Sequence, residues 1–328
     1  MPGQDPALLP PEHVPSAEEL AAAARRIAPY ARRTPVLRSE WIDALAGCHI
    51  HFKCENLQRG GAFKFRGACN AVFALEADQA RRGVVTQSSG NHGAAVALAC
   101  RLRGIPATVV VPRSAPRIKL KAIEGHGARV VPCAVSQADR DATTRRVLEE
   151  TGASYVHPFN DSRVIAGQAT ATLELLEEVP GLDVVMAPVS GGGLLSGAAL
   201  AARLRAPGIR VVGAEPEGAR DAHDGLVSGT RITGRPTDTL CDGLRAELGP
   251  LPFRILREQQ ASVLLASDAA TVAAMRQIFD HLKLVVEPSA AVALAALLAH
   301  RDAFAGLHVG MILSGGNLDL DALPWTTG

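Results

Sequence analysis

Aromatic residues are scarce in this chain: Phe, Trp and Tyr make up only 4% of its 328 residues. No basic run is interleaved with them, and 34 Lys and Arg stand against 33 Asp and Glu, for a formal net charge of +1. Neither the electrostatic footprint nor the stacking platform of a nucleic-acid binder is present, so small molecules are the expected partners. The cysteines, Cys48, Cys54, Cys69, Cys100, Cys133 and Cys241, are scattered, with no C-x-x-C pair. Disulfide frameworks belong to short secreted chains, so reduced thiols and a cytoplasmic location are expected. No uninterrupted apolar run approaches the ~18 residues needed to span a bilayer, and the Pro-rich stretch from Met1 to Val14 lacks the apolar core of a signal peptide. No membrane contact is expected. What the chain does have is apolar bulk, with 47% hydrophobic against 20% charged residues and a mean hydropathy of +0.12. That argues for a sizeable core and against disorder, and the length suits two domains or one large α/β domain.

Residues 1–15 read as a flexible lead. Ser16 followed by Glu19 forms a capping box before Leu20-Ala21-Ala22-Ala23-Ala24, which predicts a helix start. Apolar strands are expected at 106–112, 128–131, 183–189, 210–214 and 309–313, with helices at 94–100, 119–124 and 198–205. Near-continuous apolar strands alternating with helices predict an α/β fold with mostly parallel sheets covered on both faces. Residues 81–160 carry their own alternation. They are expected to form a small domain inserted in a large one made of residues 1–80 and 161–328.

Four segments carry chemistry. Lys64 sits in Gly60-Gly61-Ala62-Phe63-Lys64-Phe65. A free lysine has a pKa of ~10.4 and becomes a catalytic amine when an aldehyde captures it as a Schiff base. The glycines before it and the aromatics beside it suit a lysine held against a flat cofactor, although an isolated lysine is more often a solvated surface charge. Ser190-Gly191-Gly192-Gly193-Leu194 follows an expected strand and opens a helix. Converging N–H groups and a helix N-terminus there make a phosphate cradle. No Walker lysine follows, which argues against an NTPase loop; the plainer alternative is a tight packing turn. Ser88-Ser89-Gly90-Asn91-His92 lies at another helix start and suits a carboxylate, with an ordinary Ser N-cap as the alternative. Ser314-Gly315-Gly316-Asn317 ends the last expected strand, where open α/β sheets bind ligands.

Together, and in this order, the four segments resemble the fold-type II pyridoxal-phosphate (PLP) enzymes, in the serine/threonine dehydratase and serine racemase branch. The resemblance runs roughly from residue 17 to 321. It implies a fold of the tryptophan synthase β type, with two open, mostly parallel twisted sheets and helices on both faces, and a homodimer. By the resemblance, Lys64 carries the cofactor, Phe63 packs beside its ring and Asn91 contacts the ring hydroxyl. Ser190, Gly191, Gly192, Gly193 and Leu194 hold the phosphate, Ser314 faces the pyridine nitrogen, and Gly243 and Glu287 line the ring. A neutral Ser314 does not force protonation of that nitrogen as an acid would, which suits prompt elimination of a β-hydroxyl. The substrate carboxylate is expected on Ser88, Ser89, Gly90, Asn91 and His92, with Ser89 also a candidate acid/base.

Glu215, the Ala219 carbonyl and Asp221 match the divalent-cation site of the racemase-like relatives, which implies Mg²⁺ or Ca²⁺; by chemistry alone they read as a solvated acidic loop. Arg140 lies where those relatives place an arginine near the substrate, where it could pair with a second carboxylate. Phe159 and Ala246 depart from the mammalian-type racemases, which carry a polar residue and a serine there. The leading expectation is β-elimination of L-threonine or L-serine to a 2-keto acid and ammonia. Serine racemase or 3-hydroxyaspartate dehydratase is the alternative, and a non-catalytic amino-acid-binding protein is the reading from another class.

Overall fold

The computed structural model describes residues 13–115 and 117–325. Among these, ten strands form two sheets: β1 (Val36–Leu37), β2 (His49–Lys53), β3 (Val84–Gln87), β4 (Ala107–Pro112), β5 (Arg129–Cys133), β6 (Ser154–Tyr155), β7 (Val184–Pro188), β8 (Arg210–Pro216), β9 (Ser262–Ala266) and β10 (His308–Ile312). One sheet has the order β1-β2-β10-β7-β8-β9 and the other β5-β4-β3-β6. Every pairing is parallel except that of β1 with β2. The apolar runs follow from this arrangement. β7 is buried along its whole length, and a strand buried on both faces has no polar alternation to show. The helix Pro288–Ala299 is apolar all round because it is buried against the larger sheet, in one core with Phe52, Met186, Val212 and Met311.

In-register parallel pairing brings the carboxyl ends of β10, β7 and β8 together. Ser190–Gly193 follows β7 and Ser314–Asn317 follows β10 there, while Ser88–Asn91 follows β3 in the smaller sheet. The strands of the smaller sheet all lie between Val84 and Tyr155. The helix Lys64–Phe73 buries Phe65, Ala68, Cys69 and Val72 in one core with Val84, Val96 and Val109.

Some expectations need correction. The helix Ala17–Ile27 starts at the capping box as expected. Residues 1–12 of the expected flexible lead lie outside the described residues. Residues 13–15 are tied down: the His13 carbonyl accepts from Ser162 Oγ at 2.5 Å and its ring meets Glu19 at 2.7 Å. Two helices begin about a turn or more earlier than expected, at Asn91 and at Gly193. The polar and glycine residues that signalled loop are the first helical turns, and those turns carry the N–H groups without intrahelical partners. No helix among the described residues is long and apolar enough to cross a membrane.

Candidate active site

Lys64 is the first residue of its helix and is half-buried. Its amine donates to the Pro158 carbonyl at 3.0 Å and lies 5.2 Å from the centre of the Phe63 ring. Burial pushes its pKa down to about 8, against the opposing pull of the Glu287 carboxylate. Desolvation disfavours the ammonium, which is how a lysine becomes a usable base or nucleophile near neutral pH. Two buried imidazoles stand near it. His92 is held well below the usual histidine range and His157 is pushed down to about 3, each mainly by burial and then by the Lys64 charge. Both are therefore neutral, and neither neutralises the lysine. Phe65 does not share the role expected of the flanking aromatics: it is fully buried in the helix core. Phe63 is half-buried and packs against the core that holds Val189, Leu194 and Leu248.

The glycine loop is glycine for two separate reasons. Gly192 has φ 91°, in the left-handed region, where it caps the helix Gly193–Arg205 without any side-chain cap. Gly191 has no room for a side chain: an added Cβ would lie 2.2 Å from the Phe159 ring. Ser190 Oγ donates to the Ala246 carbonyl at 2.8 Å and accepts from the Ala246 N–H at 3.1 Å. Ser190 therefore fastens the 246 segment, and the phosphate-binding capacity rests on backbone N–H groups at the helix start. Gly191→Ala is expected to cost about 1–3 kcal/mol through overpacking and to weaken cofactor retention; equilibrium dialysis and urea unfolding check the two effects.

Gly90 caps the helix Asn91–Arg103 with no side-chain hydrogen bond, so the ordinary Ser N-cap is not what is found. Ser88 Oγ instead accepts from the Gly90 N–H at 3.3 Å. Asn91 Nδ2 donates to both Glu287 oxygens, at 3.0 and 3.1 Å, and Asn91 Oδ1 accepts from Asn317 Nδ2 at 3.0 Å. Asn317 Nδ2 also donates to the Gly60 carbonyl at 2.7 Å. The Ser314 carbonyl accepts from the Phe63 N–H at 2.9 Å, and Gly315 bridges to Ala62. Gly243 donates its N–H to Ser289 Oγ at 3.0 Å, two residues beyond Glu287. The structure thus brings together Phe63, Lys64, Asn91, Gly243, Glu287, Ser314 and the glycine loop, from positions spread over most of the chain.

The remaining candidates make their hydrogen bonds to other groups. Arg140, in the first turn of the helix Gln137–Thr151, donates its Nε to the Val135 carbonyl at 3.1 Å. Glu215 is fully buried and accepts N–H bonds from Ala222 and His223 at 3.0 and 2.9 Å. Asp221 is buried and accepts from the Leu248 N–H at 2.8 Å. Leu248 in turn is the side chain an added Cβ at Gly192 would meet, at 2.4 Å, so the acidic pair backs onto the glycine loop. Burial pushes Glu215 up to about 8 and Asp221 up to about 6. Among the described residues no cluster of three or more His, Cys, Asp or Glu side chains is placed to hold a metal; the trio expected here has two carboxylates, its third donor being a backbone carbonyl.

The family model for "Pyridoxal-phosphate dependent enzyme" matches residues 27–315. The chain belongs to that family. It is 47% identical to the β-hydroxyaspartate dehydratase of Paracoccus denitrificans, over 95% of this chain and 99% of that protein. It is 49% identical to the serine racemase of Oryza sativa subsp. indica, over 92% of this chain and 90% of that protein. Among solved structures, maize serine racemase superposes with a TM-score of 0.93 at 46% identity, covering 96% of this chain and 97% of that one.

The residues present fit PLP. A half-buried lysine with a depressed pKa faces no acidic salt-bridge partner among the described residues, the glycine loop offers a helix N-terminus without a side-chain cap, and His92 Nδ1 is buried without a protein partner. Because only the neutral amine attacks an aldehyde, PLP capture by the apoenzyme should accelerate from pH 6 upward and level off above about 8. Stopped-flow absorbance checks this, and a rate still climbing at pH 10 would mean the Lys64 amine is not perturbed.

Two parts of the site take roles that the sequence did not assign them. One is an ion cluster two residues along the helix from Lys64, made by fully buried Lys53, Glu55 and Arg66 with partly buried Glu174. The other is the His157–Asn160 turn that carries the Pro158 carbonyl. A charge on either side of Lys64 was the only available signal for the first. In the second the sequence marked only Phe159, as a departure from the mammalian-type racemases; His-Pro-Phe-Asn otherwise reads as an ordinary turn.

Proposed function

We propose that this protein is a PLP-dependent ammonia-lyase of β-hydroxy amino acids, with 3-hydroxyaspartate as the substrate ahead of L-threonine and L-serine. The Lys64 amine carries the reading: half-buried, pushed down to about 8, and bonded to a neutral carbonyl. The similarity to a β-hydroxyaspartate dehydratase along 99% of that relative favours the dicarboxylic substrate over the threonine or serine first expected.

When bound, PLP withdraws electron density from the amino acid and acidifies its Cα–H. The Lys64 amine takes that proton in its neutral form. The uncapped start of the helix Asn91–Arg103, with Ser88 and Ser89 before it, holds the α-carboxylate. Asn91, fixed between Glu287 and Asn317, is among the residues that would hold the cofactor ring. Loss of the β-hydroxyl and hydrolysis of the resulting enamine turn 3-hydroxyaspartate into oxaloacetate and ammonia.

Arg140 is the residue assigned to the second carboxylate. Arg140→Met should lower kcat/KM for 3-hydroxyaspartate by about 1.5–3 kcal/mol and leave L-serine turnover unaltered; equal losses on both substrates would remove Arg140 from recognition. Glu215, the Ala219 carbonyl and Asp221 are assigned to Mg²⁺ or Ca²⁺. Two carboxylates that burial drives toward protonation are a donor set a divalent cation stabilises. Without a cation the folded state holds Glu215 protonated up to about 8, so stability falls as pH rises from the ordinary carboxylate range toward 8. Added Mg²⁺ or Ca²⁺ should raise the melting temperature at pH 8, and Glu215→Gln should abolish that response.

Release of 2-keto acid across both 3-hydroxyaspartate series, L-Thr, L-Ser and D-Ser tests the function. A colourless protein that takes up no PLP defeats the enzyme reading. Serine racemase is the second reading, supported by the 49% identity to the rice enzyme and by half-buried Ser89 beside the substrate loop; chiral analysis of recovered serine decides it.

A further inference from the structure

We infer that His157 is a positioning residue for Lys64, acting through the Pro158 carbonyl; the inference rests on Lys64 being the amine that moves the Cα proton. A lysine amine on its four-carbon stem has many rotamers, and the atom that holds this one is a backbone carbonyl at 3.0 Å. The position of that carbonyl is set by the turn around it. His157 Nδ1 accepts the Phe159 N–H at 3.2 Å and the Asn160 N–H at 2.8 Å. The same atom could not accept either bond in an imidazolium, where both ring nitrogens are donors.

The turn is anchored by several further contacts. Thr86 Oγ1 donates to the Val156 carbonyl at 2.8 Å, and the His92 ring nitrogen Nε2 lies 3.4 Å from the same oxygen. Asn160, fully buried, accepts the Leu251 N–H at 2.9 Å. The Phe159 ring fills the space above Gly191 and meets the His157 ring edge-on at 4.6 Å. The Tyr155 ring also meets His157 edge-on, at 5.9 Å. The turn therefore links the lysine amine to the glycine loop. Burial keeps His157 neutral at any working pH, so it works as a fixed acceptor and not as a proton carrier.

His157→Asn and His157→Leu test this. An asparagine Oδ1 stands where Nδ1 stands, whereas leucine leaves two buried N–H groups without an acceptor. In the apoenzyme, the pH dependence of Lys64 acylation is followed by peptide mass spectrometry. Wild type and H157N should titrate at about 8, and H157L should move away from it. In the holoenzyme, H157L should lose kcat by on the order of 10²-fold with KM little changed, and show a larger isotope effect with Cα-deuterated substrate. A folded H157L with the wild-type acylation midpoint and isotope effect overturns the assignment. If H157L is insoluble, His157→Gln, whose amide cannot reach the Nδ1 position, makes the same comparison. The acylation arm needs no substrate, so it stands or falls separately from the lyase reading.

Discussion

Lys64→Ala is expected to fold normally and to lose at least ~10³-fold in turnover, the scale on which a positioned base and nucleophile contribute. The substitution removes one hydrogen bond, to Pro158, and relieves the cost of burying an amine, so thermal stability should change little. The variant should bind PLP weakly and without the visible colour of a covalent link to lysine. Added methylamine should restore part of the activity, because the cavity left by the side chain opens toward the same carbonyl. Residual turnover within tenfold of wild type would place the base elsewhere.

Arg66→Met is expected to be the most destabilising single change, at roughly 3–5 kcal/mol. Arg66 is fully buried, two residues beyond Lys64 on the same helix turn. Its guanidinium bonds both Glu55 oxygens at 2.7 and 2.8 Å and both Glu174 oxygens at 2.7 and 2.8 Å. Lys53, also fully buried, completes the set with Glu174 at 2.7 Å and the Thr34 carbonyl at 2.7 Å. Removing Arg66 leaves Glu55 inside the protein with only the Thr34 hydroxyl, at 2.6 Å, among the described residues. A carboxylate stripped of its cation there must either remain charged in a low dielectric or take up a proton, and both are costly. The double variant Glu55→Met with Arg66→Met should be less damaging than the sum of the singles, since it removes both buried charges. Urea unfolding measures each; a loss under ~1 kcal/mol in the single variant would show that water or rearrangement replaces the guanidinium. The cluster also predicts acid sensitivity. Burial pushes Glu174 up, but the bonds to Arg66 and then Lys53 hold it below the ordinary carboxylate value. Its contribution is full above that value and is lost as pH falls through the lower folded one.

The parallel α/β architecture was legible in the chain because strands buried on both faces cannot alternate. Val184–Pro188 and Ala107–Pro112 read as continuous apolar runs for that reason. Local chemistry was legible for the same kind of reason. Gly192 is needed where φ is positive and Gly191 where a ring leaves no room for a Cβ, and such demands leave glycines in place. The capping box at Ser16 and Glu19 is entirely local and appeared where expected. Helix starts at Asn91 and Gly193 were misplaced because uncapped, glycine-containing first turns look like loop.

By itself, then, the sequence determined the kind of sheet, the loops with open N–H groups, and the lysine to which they belong. Only the tertiary structure decided what surrounds that lysine. Pro158 lies 94 positions from Lys64 and Glu287 lies 196 from Asn91, and no local pattern encodes a bond across such a separation. The depressed pKa of Lys64 has the same origin: desolvation depends on how packed elements exclude water around the amine, and composition along the chain carries no record of it.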